Sequence, residues 1–214
     1  MLLDCGPTTL QALKSNSIST NEIDLILCSH FHGDHLVGIP FILLDSLYIT
    51  QRTKLLTIIG PKGIRNKVTK LYEFLYPSVS LRDHHFKIDY IELDKNDNFT
   101  INDVNIQSYE MKHQPESLGY KITSDNLKIA YTGDTGYNDN IIPLISGTDV
   151  SIIECSFFNY QLESHISYNQ VESLTKYSKR LILTHLGEGV RKNLENNPLP
   201  ESIILANDDL IIDF

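Results

Sequence analysis

Apolar residues in this chain come in short runs, and the runs keep ending on histidine or carboxylate. The run from Ile23 to Cys28 leads into Ser29-His30-Phe31-His32-Gly33-Asp34-His35, and a largely apolar stretch, Leu36 to Leu47, follows. That order predicts a buried strand, a tight loop and a helix over about Leu36–Ser46. Ahead of it, Met1 to Gly6 reads as the end of a strand broken at Gly6-Pro7, with a short helix over Thr8–Lys14. Leu55–Gly60 is a predicted strand. Lys62–Leu75 is a predicted amphipathic helix, with Ile64, Val68, Leu71 and Leu75 on its apolar face. The other face carries Lys62, Arg65, Lys67 and Lys70, the pattern of a solvated helix face.

From Phe86 the period falls to two. Lys87–Leu93, Phe99–Ile101, Val104–Met111, Leu118–Thr123 and Leu127–Thr132 alternate between turn signals such as Asn96-Asp97-Asn98 and Ser124-Asp125-Asn126, which predicts an antiparallel meander. Helices near Asn138–Ile145, Tyr168–Ser178 and Val190–Asn196 then alternate with strands at Val150–Glu154 and Arg180–Thr184. Two short strands near Ile203 and Ile211 finish the chain. With no repeat, low-complexity segment or linker, the expectation is a single α/β domain over residues 1–214, with mixed sheets and helices outside.

Composition narrows the function. A chain of 214 residues can bury one sizeable core. A net charge of −9 provides no general basic field for nucleic acid. Every apolar run is broken by polar residues well short of a membrane span, and Asp4 stands where a leader's apolar stretch would begin, so no membrane partner is expected. Cys5, Cys28 and Cys155 are an odd number in apolar contexts. They read as buried thiols of a reducing cytoplasm.

The central loop packs three histidines and a carboxylate into six positions. Imidazole and carboxylate together suit a borderline metal such as zinc. His30 and His32 can point one way from an extended segment, whereas Asp34 and His35 sit where the loop turns into the helix and need not share that direction. One loop can therefore serve two metals. Three further runs end on a ligand-type residue, at His113, Asp134 and His185. Alone, each suits a turn or cap. Together they supply two ligand sets: His30, His32 and His113 for one ion, Asp34, His35 and His185 for the other, with Asp134 bridging. The cofactors expected are two divalent metal ions, zinc first, with manganese and iron also suited to these donors.

Taken in order, Asp4, His30-Phe31-His32-Gly33-Asp34-His35, His113, Asp134 and His185 resemble the five motifs of metallo-β-lactamase-fold hydrolases, across essentially the whole chain. Residues 32–40, Gly60-Pro61-Lys62-Gly63, Ser117 to Ile122 and Tyr131 to Thr135 are most similar to the ribonuclease Z branch. The resemblance implies a four-layer αβ/βα sandwich. It also implies that Glu154 orients His165, which protonates the leaving oxygen, and that Asp34 both binds metal and orients or deprotonates the nucleophile. Asp4 would accept a ring N–H from a ligand histidine. The chain departs from that branch at Ile153 and at Leu186-Gly187, and it lacks the usual N-terminal hairpin and the long basic arm that grips tRNA.

The implied activity is phosphodiester hydrolysis by a metal-bridged hydroxide, on RNA or a small phosphodiester. A cyclic nucleotide suits the acidic charge better than tRNA does. A homodimer is common in the resembled branch. The same cage also serves carboxylic ester, lactone or thioester hydrolysis, and a metal-bound module without turnover is the reading outside enzymes.

Overall fold

The computed structural model describes residues 1–81, 84–194 and 199–213, which fall into two compact units, Met1–Leu93 and Asp94–Phe214. Each unit has its own sheet.

The first unit is built on strands β1 (Leu2–Leu3), β2 (Leu25–Leu27), β3 (Leu56–Pro61) and β4 (Ile88–Leu93), in that order across the sheet. All three pairings are parallel. β2 and β3 are buried along their whole lengths, which is why they read as unbroken apolar runs. Helices α1 (Thr9–Ser15), α2 (Gly33–Leu36), α3 (Ile39–Tyr48) and α4 (Ile64–Leu75) belong to this unit. α4 buries Ile64, Val68 and Tyr72. Tyr72 takes the inward place expected of Leu71 and Leu75, because its hydroxyl and His84 Nε2 meet at 2.9 Å and its ring packs on Tyr76. Lys62, Arg65, Lys67 and Lys70 are exposed, as the solvated-face reading expects.

Two expectations for this unit are corrected. The Lys87–Leu93 strand does not open the meander: as β4 it lies parallel to β3, with Ile58 opposite Tyr90. Period-two patterning reports a half-buried strand but not its partner, and the helix between β3 and β4 brings the chain back in parallel. The single helix expected over Leu36–Ser46 is two, α2 and α3, parted at Val37-Gly38. The Gly38 N–H donates to Cys5 O at 2.9 Å, and a Cβ at Gly38 would overlap the Gly6 carbonyl oxygen. Gly38→Ala should therefore lower stability by about 2–3 kcal/mol. Thermal unfolding should read this as a Tm lowered by roughly 4–12 °C, and an unchanged Tm would refute the close-approach argument.

The second unit carries β5 (Asn98–Ile101), β6 (Val104–Glu110), β7 (Leu118–Thr123), β8 (Lys128–Tyr131), β9 (Thr148–Glu154), β10 (Ser178–Thr184) and β11 (Ile203–Leu205), ordered β11-β10-β9-β8-β7-β6-β5. β5 to β8 form the antiparallel meander, and β8 to β11 are parallel neighbours. β6, β8, β9 and β10 consequently run the same way, and their C-terminal ends lie along one edge of the sheet.

Two of its helices, α5 and α6, are shorter than the sequence suggests. α5 is Ile141–Ile145, because Asn138 folds its side chain back onto the backbone: Asn138 Oδ1 accepts from Asn140 N at 2.9 Å and Nδ2 donates to Gly136 O. α6 stops at Glu172, since Tyr177 O accepts from Gly147 N and Ser178 begins β10. α7 is Glu188–Leu194; residues 195 and 196 of the helix expected there lie outside the described residues. The strand near Ile211 is absent among the described residues, and that side chain is 81% exposed.

Cys5, Cys28 and Cys155 are buried thiols, none of them in a disulfide. Burial pushes Cys5 and Cys155 up to about 12, and Cys28 also well above the usual thiol range, so all three stay protonated core residues at neutral pH. Among the described residues no helix is long and apolar enough to cross a membrane.

Candidate active site

In the first unit the site grows from the ends of β1 and β2. Asp4 follows β1 in the left-handed region (φ 58°), a strained setting for an aspartate that its side chain accounts for. One carboxylate oxygen accepts from the Ser29 backbone N–H at 2.6 Å. The other accepts from the Ser29 hydroxyl at 2.7 Å and from His35 Nδ1 at 2.6 Å. The group is buried, and it ties the strand end to the histidine loop.

These bonds set tautomers. His35 donates Nδ1–H to Asp4, which leaves the lone pair of the ring on Nε2, 3.3 Å from Asp34 Oδ2. The single Ser29 proton goes to Asp4, so the 3.0 Å contact between Ser29 Oγ and His30 Nδ1 is a donation from His30. The lone pair of His30 is then on Nε2, 3.1 Å from His32 Nδ1. His30 is fully buried, whereas the Asp34 side chain is 60% exposed. Asp4, His30 and His35 place one donor atom each within 4.8 Å of one another.

In the second unit the functional groups stand just beyond β6, β8, β9 and β10. His113 donates Nδ1–H to Ser164 O at 2.9 Å, and its Nε2 lies 3.9 Å from Asp134 Oδ2. His185 Nε2 lies 3.4 Å from that same oxygen. Two histidines from separate strands thus converge on one buried aspartate oxygen. Glu154, 1% exposed, ends β9 and receives Thr135 N–H at 2.9 Å and His165 Nδ1 at 2.7 Å on Oε1. Its Oε2 receives the Ser156 N–H at 3.1 Å and hydroxyl at 2.7 Å. His165 is therefore held by a buried carboxylate rather than waving in an exposed loop, with its ring 4.9 Å from that of His113 and stacked 5.7 Å from that of His185.

All ten residues singled out from the sequence lie at these two clusters: Asp4, His30, His32, Asp34 and His35 in the first unit, and His113, Asp134, Glu154, His165 and His185 in the second. Ser29 and Ser156 were passed over. The signal for them was slight: a hydroxyl directly before a histidine, and another two positions after a strand-end carboxylate. Two ligands about 2.1 Å from one ion at tetrahedral angles lie roughly 3.4 Å apart. The pairs His30–His32, Asp34–His35, Asp134–His113 and Asp134–His185 span 3.1 to 3.9 Å. A nitrogen lone pair and a carboxylate oxygen at such spacing repel unless a cation is shared between them, so the donor set fits divalent metal.

Known proteins are similar to the chain in sequence and in fold. Ribonuclease Z of Agathobacter rectalis is 37% identical over 123 residues, an alignment covering 57% of this chain and 38% of that protein. Ribonuclease Z of Saccharolobus islandicus is 26% identical over a gapped alignment of 263 positions, covering 95% of this chain and 86% of the relative. The metallo-β-lactamase fold protein YhfI from Bacillus subtilis superposes with a TM-score of 0.76 at 21% identity, over 99% of this chain and 86% of that one. Fold and relatives define a ribonuclease Z-like, metal-dependent hydrolase of the metallo-β-lactamase fold. The family model described as Anti-Pycsar protein Apyc1 matches residues 1–199, and the chain belongs to that family.

Proposed function

We propose that this hydrolase cleaves a phosphodiester, with His30, His32 and His113 holding one divalent ion, Asp34, His35 and His185 a second, and Asp134 serving both. Zinc is the ion these donors favour first. The observation that carries the reading is in the second unit: Asp134 Oδ2 faces His113 Nε2 and His185 Nε2, and His165, held by Glu154, stacks on the His185 ring and meets the His113 ring edge-on. When bound, the ions supply Lewis acidity, making water a nucleophile at neutral pH and offsetting charge that grows on phosphoryl oxygens.

The chain's own groups do the rest. Asp4 holds the His35 tautomer, and Asp34, the exposed carboxylate of the loop, orients the attacking water and takes its proton. His165 keeps Nδ1–H on Glu154 and presents Nε2 to donate a proton to the departing oxygen. Net charge of −9 supports a small phosphodiester such as a cyclic nucleotide, or a short RNA, over a large polyanion. The three protonated thiols support a reducing cytoplasm, and a single-domain homodimer completes the proposal.

The test is turnover of bis(p-nitrophenyl) phosphate by protein stripped with chelator and then reloaded with zinc or manganese. Hydrolysis should vanish on stripping and return on reloading. Metal-loaded protein that hydrolyses carboxylic esters or lactones but no phosphodiester would overturn the reading.

A further inference from the structure

The buried Glu154 reaches a second histidine through a serine. We propose that Ser156 is a positioning residue whose hydroxyl, anchored on Glu154, accepts the Nδ1–H of His185 and so holds that ring's lone pair on Nε2, the nitrogen facing Asp134. The inference rests on the metal-centre reading only in taking His185 as a ligand.

The argument is a proton count. Ser156 Oγ carries one proton. Its nearest acceptor is Glu154 Oε2 at 2.7 Å, with the His185 carbonyl oxygen farther away at 3.4 Å. Both oxygens of Glu154 already take backbone N–H groups, so the carboxylate is an acceptor on each side. With its proton committed there, Ser156 Oγ can meet His185 Nδ1, at 2.9 Å, only as an acceptor. His165 Nδ1 is also within 3.4 Å of Ser156 Oγ, but its hydrogen lies on Glu154 Oε1 at 2.7 Å. One carboxylate therefore fixes two rings, His165 directly and His185 through the serine.

The backbone is built to keep this spacing. Cys155 N donates to Thr184 O at 2.8 Å, and a Cβ at Gly187 would overlap the Ser156 carbonyl oxygen, so only glycine lets the turn after β10 approach so closely. His185 itself is held in the left-handed region, φ 52°. The same arrangement stands in the first unit on unrelated loops. Asp4 takes His35 directly at 2.6 Å and reaches His30 through Ser29, with steps of 2.7 and 3.0 Å. A hydroxyl serving only to cap a turn would not recur between carboxylate and histidine at both places.

Ser156→Thr and Ser156→Val nearly match in shape and differ in the hydroxyl, so their comparison isolates it. In chelator-treated protein, long-range proton–nitrogen spectra identify the His185 tautomer, the signal being assigned by its loss in His185→Asn. Wild type and Ser156→Thr should show the hydrogen on Nδ1, and Ser156→Val a mixture with hydrogen on Nε2. Zinc affinity, by competition with a chromophoric chelator, should fall about 10- to 100-fold in Ser156→Val and recover in Ser156→Thr. Ser156→Ala supplies the same comparison if the valine variant does not fold.

An Nδ1–H tautomer and wild-type zinc affinity in the variants lacking the hydroxyl would overturn the proposal. Neither readout uses turnover. Failure to hydrolyse phosphodiesters would therefore retire the function proposed above and leave Ser156 in place, while an unmoved tautomer in an active phosphodiesterase would do the reverse.

Discussion

Asp134→Asn is expected to cut kcat/KM on bis(p-nitrophenyl) phosphate by about 10³-fold or more and to lower the metal content of the purified protein. One oxygen of this buried carboxylate lies 3.9 Å from His113 Nε2 and 3.4 Å from His185 Nε2. The amide keeps the volume and removes the negative charge that would hold a cation between those lone pairs. Loss of metal-based charge stabilisation worth several kcal/mol corresponds to a factor of that size, at about 1.4 kcal/mol per decade. Asp134→Ala should behave alike, which separates charge from shape. Near-wild-type turnover and metal content in the asparagine variant would remove Asp134 from the centre altogether.

His165→Ala should separate substrates by leaving group. With an alkyl leaving group, which departs poorly without a proton, kcat should fall roughly 10²- to 10⁴-fold, the usual worth of a positioned acid. With p-nitrophenolate, which leaves readily as an anion, the loss should be much smaller, and the metal content should not change. The geometry behind this is the 2.7 Å bond between His165 Nδ1 and the buried Glu154, which fixes the orientation of the ring. Glu154→Gln should show the same discrimination more weakly. Equal losses on both substrates would show His165 to be a binding or structural group rather than the proton donor.

Much of the site was legible before any geometry. Histidine and aspartate at the ends of apolar runs are visible in one dimension because a strand end is where a buried element meets solvent. His113, Asp134 and His185 each follow a strand of the second sheet, and the sense of those strands aligns their ends. Asp4, a lone carboxylate four residues into the chain, was weak as a signal and is explained by its three donors.

What stayed hidden depended on contacts distant in sequence. The break at Gly38 follows from the close passage of Cys5 and Gly6, more than thirty residues away, and nothing local in Leu36 to Ser46 announces it. The placement of β4 beside β3 is a choice of partner, which alternation does not encode. Ser29 and Ser156 were invisible for a related reason. A serine's role depends on where its single proton goes, and that is decided by a carboxylate it meets only in the fold.

The first strand is two residues long, and Asp4 at its end is bonded to the loop that carries His35. An ion drawing on His35 would therefore help hold β1 against β2. Reciprocity then requires that whatever peels β1 away weakens ion binding by the same factor. Under the proposed metal centre, ion affinity would be set partly by a pair of leucines that no metal would touch: Leu2 and Leu3 would act as a counterweight, with the pairing of β1 and the ion as two ends of one equilibrium.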